Sequence, residues 1–313
     1  MRTVRLPVLA GLLTAFLGGC AASASHGGVG HCDVHALAHV RLAAERGYVS
    51  VPATIEDKPV TMLIDTGSDT TLVTPSAVQT LGLGRDPHAS TTINGNDGHV
   101  TTRNALLQSF GIGGMEMLDQ SYAVAPLPSL GLAGYQAAGL IGADWLSQFD
   151  VDLDVPGRQL TLYRVQGCGD DHVPWPGAHA SLPVFRAGRD RVIVDATLDG
   201  ARVHAMIDSG ANQSLISRAA AVRAGVTAAR MEHDARARTS GMGGGIDQTR
   251  VHRFATLDVG GVVWRDPALV VGALSASTGA DMLLGLDWLR SHEVWIDYRD
   301  RRMFIRSAAD AGG

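Results

Sequence analysis

The chain has 313 residues, is 45% hydrophobic and 18% charged, and carries a formal net charge of −5. That length suits two domains of ordinary size, and that balance suits a globular protein with a packed core. No long basic run occurs, so nucleic acid is not an expected partner.

The N-terminus reads as a targeting segment rather than as part of a domain. Arg2 and Arg5 form a positive region, and Leu6 to Leu17 is an apolar run too short for a stable membrane span. Leu17-Gly18-Gly19-Cys20 then resembles a bacterial lipobox. The resemblance implies cleavage before Cys20, lipid on its sulfur, and, with Ala21 following, sorting to the outer membrane. Once Cys20 is lipidated, Cys32 and Cys168 remain, and an even pair in an oxidising compartment suggests a disulfide. His31, His35 and His39 share a spacing that reads as one face of a helix, solvated or partly packed. No carboxylate cluster accompanies them, so a metal site is not expected there.

An internal repeat organises the rest of the chain. Met62-Leu63-Ile64-Asp65-Thr66-Gly67-Ser68 matches Ala205-Met206-Ile207-Asp208-Ser209-Gly210-Ala211, and Leu140-Ile141-Gly142 matches Leu283-Leu284-Gly285. Asp208 lies 143 positions after Asp65, and Gly285 lies 143 after Gly142. Gly113-Gly114 and Gly260-Gly261 read as equivalent hairpin turns, offset by 147. The resulting division is a signal over 1–19, a lipidated segment over 20–44, one lobe over 45–165, a connector over 166–182, a second lobe over 183–306, and a tail over 307–313.

In chain order, Val60 to Ile64, Gln159 to Tyr163, Arg191 to Leu198, Ala255 to Val259 and Met303 to Arg306 read as strands. Pro75 to Leu81 and Arg218 to Ala224 read as short helices, and Trp145 and Trp288 as members of a short helix after each motif glycine. Asp144 and Asp287 follow those glycines and are expected to cap or orient local backbone. The class is mainly β, with two duplicated barrel-like lobes.

Each motif has a physical logic. An apolar strand delivers an aspartate into a tight turn, and Gly67 and Gly210 permit close approach of backbone or substrate. The hydroxyls of Thr66 and Ser209 can bond across a lobe interface. Two such loops face to face bring two carboxylates together, and like charges that close share one proton. One carboxylate then serves as general base to a water and the other as general acid.

These residues resemble the aspartic peptidases of the pepsin and retropepsin clan. The signature of that clan matches Asp65-Thr66-Gly67-Ser68 with Leu140-Ile141-Gly142, and Asp208-Ser209-Gly210-Ala211 with Leu283-Leu284-Gly285. The short lobes look like two fused retropepsin-type subunits, and the resemblance spans most of residues 47–306. It implies two acid-protease barrel lobes, catalysis by Asp65 and Asp208, an extended peptide or protein substrate, and no metal or cofactor. It also implies flaps, for which Asn94-Gly95 and Gly241-Met242-Gly243 are the candidates because glycine-rich turns suit moving lids. Ala143 and Leu286 stand where retroviral enzymes often carry arginine, so the dimer-stabilising ion pair of those enzymes is not expected from that position. The tandem repeat favours an intramolecular pair of lobes in a monomer. The alternative is a non-catalytic module of the same fold that grips peptides by strand addition.

Overall fold

The computed structural model describes residues 32–45, 47–95, 98–127, 137–240, 246–275 and 278–308. Its strands form three sheets. Two belong one to each half of the repeat. The third is a six-stranded antiparallel sheet to which both halves contribute, in the order Asp33–Arg41, Gln159–Gln166, Asp150–Asp154, His292–Asp297, Arg302–Ser307, Ala180–Pro183.

That shared sheet holds Asp154 and Asp297, which lie 143 positions apart, one in each half. Their strands lie side by side at its centre, with Val151 opposite Ile296 and Leu153 opposite Val294. The outer strand Asp33–Arg41 pairs along Gln159–Gln166, which corrects the helical reading of its histidines. The strand has a register shift between Ala36 and Ala38, so His35, opposite Arg164, and His39, opposite Thr161, lie on opposite faces of the sheet. His35 and His39 are exposed, and His39 Nδ1 lies 3.0 Å from the Thr161 hydroxyl. His31 lies outside the described residues. Cys32 and Cys168 are joined by a disulfide that ties this strand to the connector. The connector itself covers the shared sheet, with Trp175 packed beside Val165, Trp295 and Phe304.

Within each half, the strand that carries the motif aspartate is central. Lys58–Ile64 pairs antiparallel with Tyr48–Ile55 and parallel with Gly139–Ile141. Ala201–Ile207 pairs in the same way with Arg191–Leu198 and Met282–Leu284. Each motif strand is partly or fully exposed at its start and buried on both faces at its end, where it is apolar. Met62 and Ile64, and Met206 and Ile207, are accordingly almost wholly buried. In the first half Thr54 opposite Gly111 closes the sheet into a barrel.

Gly113-Gly114 and Gly260-Gly261 form equivalent turns, all four with positive φ. The helix Pro75–Leu81 begins at Thr74, whose hydroxyl accepts from the Ala77 N–H, and ends at Gly82 with φ 73°. Its counterpart Arg218–Arg223 starts at Ser217 in the same manner. The second half adds a helix, Ala228–His233, that the apolar pattern does not announce because none of its residues is buried.

Candidate active site

The apolar-glycine motifs act as scaffolds for the aspartate loops. Asp65 N–H donates to the Ile141 carbonyl, and Asp208 N–H donates to the Leu284 carbonyl, each at 3.0 Å. Ala143 N–H reaches the Ser68 carbonyl and Leu286 N–H the Ala211 carbonyl, each at 2.8 Å. A Cβ at Gly142 would lie 2.9 Å from the Ser68 carbonyl oxygen, and one at Gly285 would lie 2.7 Å from that of Ala211. Only glycine lets these backbones pack so closely.

Asp144 and Asp287 orient the same loops rather than capping the helices they begin. Those helices, Ala143–Leu146 and Leu286–Leu289, have Gly142 and Gly285 at the cap position with no side-chain cap bond. Asp144 Oδ1 instead accepts from Thr71 N–H at 2.8 Å and from its hydroxyl at 2.7 Å. Asp287 accepts from Ser214 N–H at 2.9 Å and from its hydroxyl at 2.6 Å. Thr71 and Ser214 in turn accept from Gly142 N–H and Gly285 N–H. The two networks are copies at the repeat offset.

The loops meet across the seam between the halves. Thr66 N–H donates to the Ser209 hydroxyl at 3.0 Å, and Ser209 N–H donates to the Thr66 hydroxyl at 3.0 Å. Each hydroxyl in turn donates a hydrogen bond, Thr66 to the Ile207 carbonyl at 2.7 Å and Ser209 to the Ile64 carbonyl at 2.8 Å. Both side chains are fully buried. A closed ring of four bonds in a dry seam leaves no donor unpaired, so it fixes the register of one loop against the other.

That ring sets the two aspartates facing one another. A Cβ on Gly210 would stand 2.5 Å from the Asp65 carboxyl carbon, and one on Gly67 would overlap the carboxyl of Asp208. Each glycine therefore makes room for the carboxylate of the opposite half. Gly67 N–H donates to Asp65 Oδ1 at 3.0 Å, and Gly210 and Ala211 N–H donate to Asp208 Oδ1 at 2.9 and 3.1 Å. Burial, and then the charge of Asp208, raise the Asp65 pKa; burial also raises that of Asp208, against the backbone donors and Arg191. Two carboxyls so placed oppose each other's ionisation.

One interlobe contact has no signature in the motif spacing. Asp69, just beyond the first motif, forms an ion pair with Arg191 Nε at 2.8 Å and accepts from the Arg189 N–H at 2.8 Å. Arg191 is buried, so this ion pair lies in the seam. A retropepsin-type ion pair was not expected from Ala143 and Leu286; the link here comes from a strand start instead.

The flap candidates lie on two hairpins. Gly84–Gly95 pairs with Gly98–Ile112, with Asn94 opposite His99 and Gly95 opposite Gly98. Ala235–Ser240 pairs with Ile246–Arg253, while Gly241, Met242 and Gly243 lie outside the described residues. Cys20 also lies outside them.

Two family models match the chain, one to each half: "Aspartyl protease" over residues 51–145 and "gag-polyprotein putative aspartyl protease" over residues 194–291. Each half is thus similar to an aspartyl-protease family. The fold is similar to that of an aspartic proteinase from Irpex lacteus, with a TM-score of 0.55 and 12% identity. That similarity covers 90% of this chain and 99% of the other. No curated protein matches by sequence. The mainly β, two-lobed aspartic-protease fold expected from the repeat is the one observed.

Proposed function

We propose that the chain is an aspartic endopeptidase that hydrolyses extended segments of exported proteins, with Asp65 and Asp208 as its catalytic dyad. The observation that carries this reading is the reciprocal packing of Gly67 on Asp208 and of Gly210 on Asp65. In the reaction, a water oxygen attacks the scissile carbonyl carbon as one carboxylate takes a water proton and the other carboxyl protonates the carbonyl oxygen. The C–N bond then breaks, and the amine leaves with a proton returned from the dyad. No metal or cofactor enters this scheme. Thr66, Ser68, Ser209 and Ala211 hold the loops, and the hairpins ending near Asn94-Gly95 and Gly241-Met242-Gly243 serve as flaps.

The lipobox-like Cys20 supports attachment of the monomer, with its intramolecular pair of lobes, to the periplasmic side of the envelope, in the outer membrane. The protein lacking residues 1–20 is the material for the test. It is expected to cleave members of a peptide library, to be inhibited by pepstatin, and to lose cleavage in Asp65→Asn and Asp208→Asn. Folded protein that binds peptides without cleaving them would favour the binding-module alternative.

A further inference from the structure

The repeat is close to symmetric at the dyad but not beside it. The register that sets Ser50 opposite Leu63 brings Tyr48 level with Asp65. The register that sets Ile193 opposite Met206 brings Arg191 level with Asp208. Arg191 lies 143 positions after Tyr48, so the two occupy one structural position in the two halves. Asp69 and Asn212 are likewise repeat mates. Asp69 packs against the turn at Gly188 and the Arg191 guanidinium, and Asn212 packs against the turn at Gly47, with Arg290 Nη2 donating to its Oδ1 at 3.3 Å. One side of the dyad therefore faces a neutral phenol and the other a guanidinium.

The burial of these groups decides the sign of the field. The Arg191 side chain is 10% exposed and that of Asp69 38%, so solvent screens the anion of the pair more than the cation. Tyr48 stays neutral, its pKa pushed up to about 12 by burial and by Asp65. The charged groups acting on the dyad are thus its own two carboxyls and Arg191, with Asp69 behind the arginine.

We propose that Arg191 is a positioning residue that fixes which member of the dyad carries the negative charge, making Asp208 the base that takes the water proton and Asp65 the acid that protonates the carbonyl oxygen. This rests on the peptidase reading above. A two-fold symmetric pair of loops has no preferred direction for its shared proton; a single buried cation beside one carboxylate supplies it. Burial and then the charge of Asp208 raise the pKa of Asp65, whereas at Asp208 burial is opposed by the Gly210 and Ala211 N–H groups and then by Arg191; backbone donors act on both carboxyls, and the cation acts on Asp208.

The test combines the pH profile of kcat/KM with the pH titration of the aspartate carboxyl carbons followed by ¹³C NMR, the two signals being assigned by their loss in Asp65→Asn and Asp208→Asn. In the unmodified protein the Asp208 signal is expected to titrate at the lower pH. Arg191→Gln is expected to move the acid limb of the profile upward by about half to one pH unit. Arg191→Lys keeps the charge and is expected to hold the limb in place. Asp69→Asn breaks the ion pair but leaves the guanidinium, so the limb stays or moves to lower pH. A purely structural tether predicts that Arg191→Gln and Asp69→Asn destabilise alike with both limbs unmoved, and that result overturns the proposal. So does an Asp65 signal that titrates first. If the folded protein cleaves nothing, the peptidase reading fails, and the order of the two NMR titrations still decides the charge assignment.

Discussion

Gly210 stands directly behind the Asp65 carboxyl, with room for a hydrogen but not for a methyl group, since a Cβ there would lie 2.5 Å from the carboxyl carbon. Gly67 bears the same relation to Asp208. Gly210→Ala must therefore push Asp65 out of line or part the two loops. Overpacking of this kind costs about 1–3 kcal/mol. Cleavage is expected to fall by at least about two orders of magnitude, because small displacements of reacting groups cost that much. Activity and thermal unfolding of Gly210→Ala and Gly67→Ala check this, and near-normal cleavage by either would contradict the facing geometry.

The shared sheet should make the protein most stable in acid. Besides the dyad, two further carboxyls are held there beside a like charge. Burial, then Asp297, raises Asp150 to about 7, and burial, then Glu293, raises Asp152 to about 8. Trp175 Nε1–H donates to Asp152 at 3.3 Å, while Arg306 bonds Glu293 at 2.5 Å and lies over the Trp175 ring. His172 Nε2 stands 3.6 Å from Asp297. A raised carboxyl pKa means that the folded chain keeps a proton that the unfolded chain has lost. Stability is then full below the unfolded value of 3.8 and is lost progressively as pH rises toward about 8. Melting temperature measured from pH 4 to 8 is expected to fall, and Asp152→Asn to flatten the fall. A melting temperature that rises across this range would refute the assignment.

Cutting the disulfide should loosen the outer strand of that sheet. Cys32 and Cys168 are 136 positions apart, and a loop of that length corresponds to roughly 5 kcal/mol in the chain-entropy estimate. Replacing both with serine is expected to lower the unfolding free energy by about that amount in denaturant titration. Proteolysis should then begin in Asp33–Arg41 while the two lobe sheets stay protected, as mass spectrometry of the fragments would reveal.

Asp287 offers a way to disturb the active site without touching it. Asp287→Ala leaves the Ser214 N–H and hydroxyl without their acceptor, at a cost of roughly 2–3 kcal/mol. The loop carrying Asp208 loses a support, so kcat is expected to drop more than KM rises. Asp144→Ala should act on the Asp65 loop in the same way. Unchanged kcat in both variants, with the stability loss present, would show that these networks serve the fold alone.

Much of this protein is written locally. Short apolar runs ended by Asp-Thr-Gly and Asp-Ser-Gly, together with a constant offset between two separate motifs, place the duplicated β lobes and mark Asp65 and Asp208 as candidates, because strand burial and tight turns depend on neighbouring residues. The short helices at Pro75 and Arg218 are legible as well, and the structure adds Thr74 and Ser217 as their caps. What the tertiary structure alone decided involves residues far apart in the chain. Asp33–Arg41 is a strand because Gln159–Gln166 lies beside it, whereas its histidine spacing reads as one face of a helix. Asp144 and Asp287 look like helix caps until the folded loops bring Thr71 and Ser214 within reach. Arg191, with no motif around it, becomes a neighbour of the dyad because strand pairing sets it level with Asp208 and lobe packing sets it against Asp69. Periodicity records which side of an element is buried; it does not record which distant charge will share that burial.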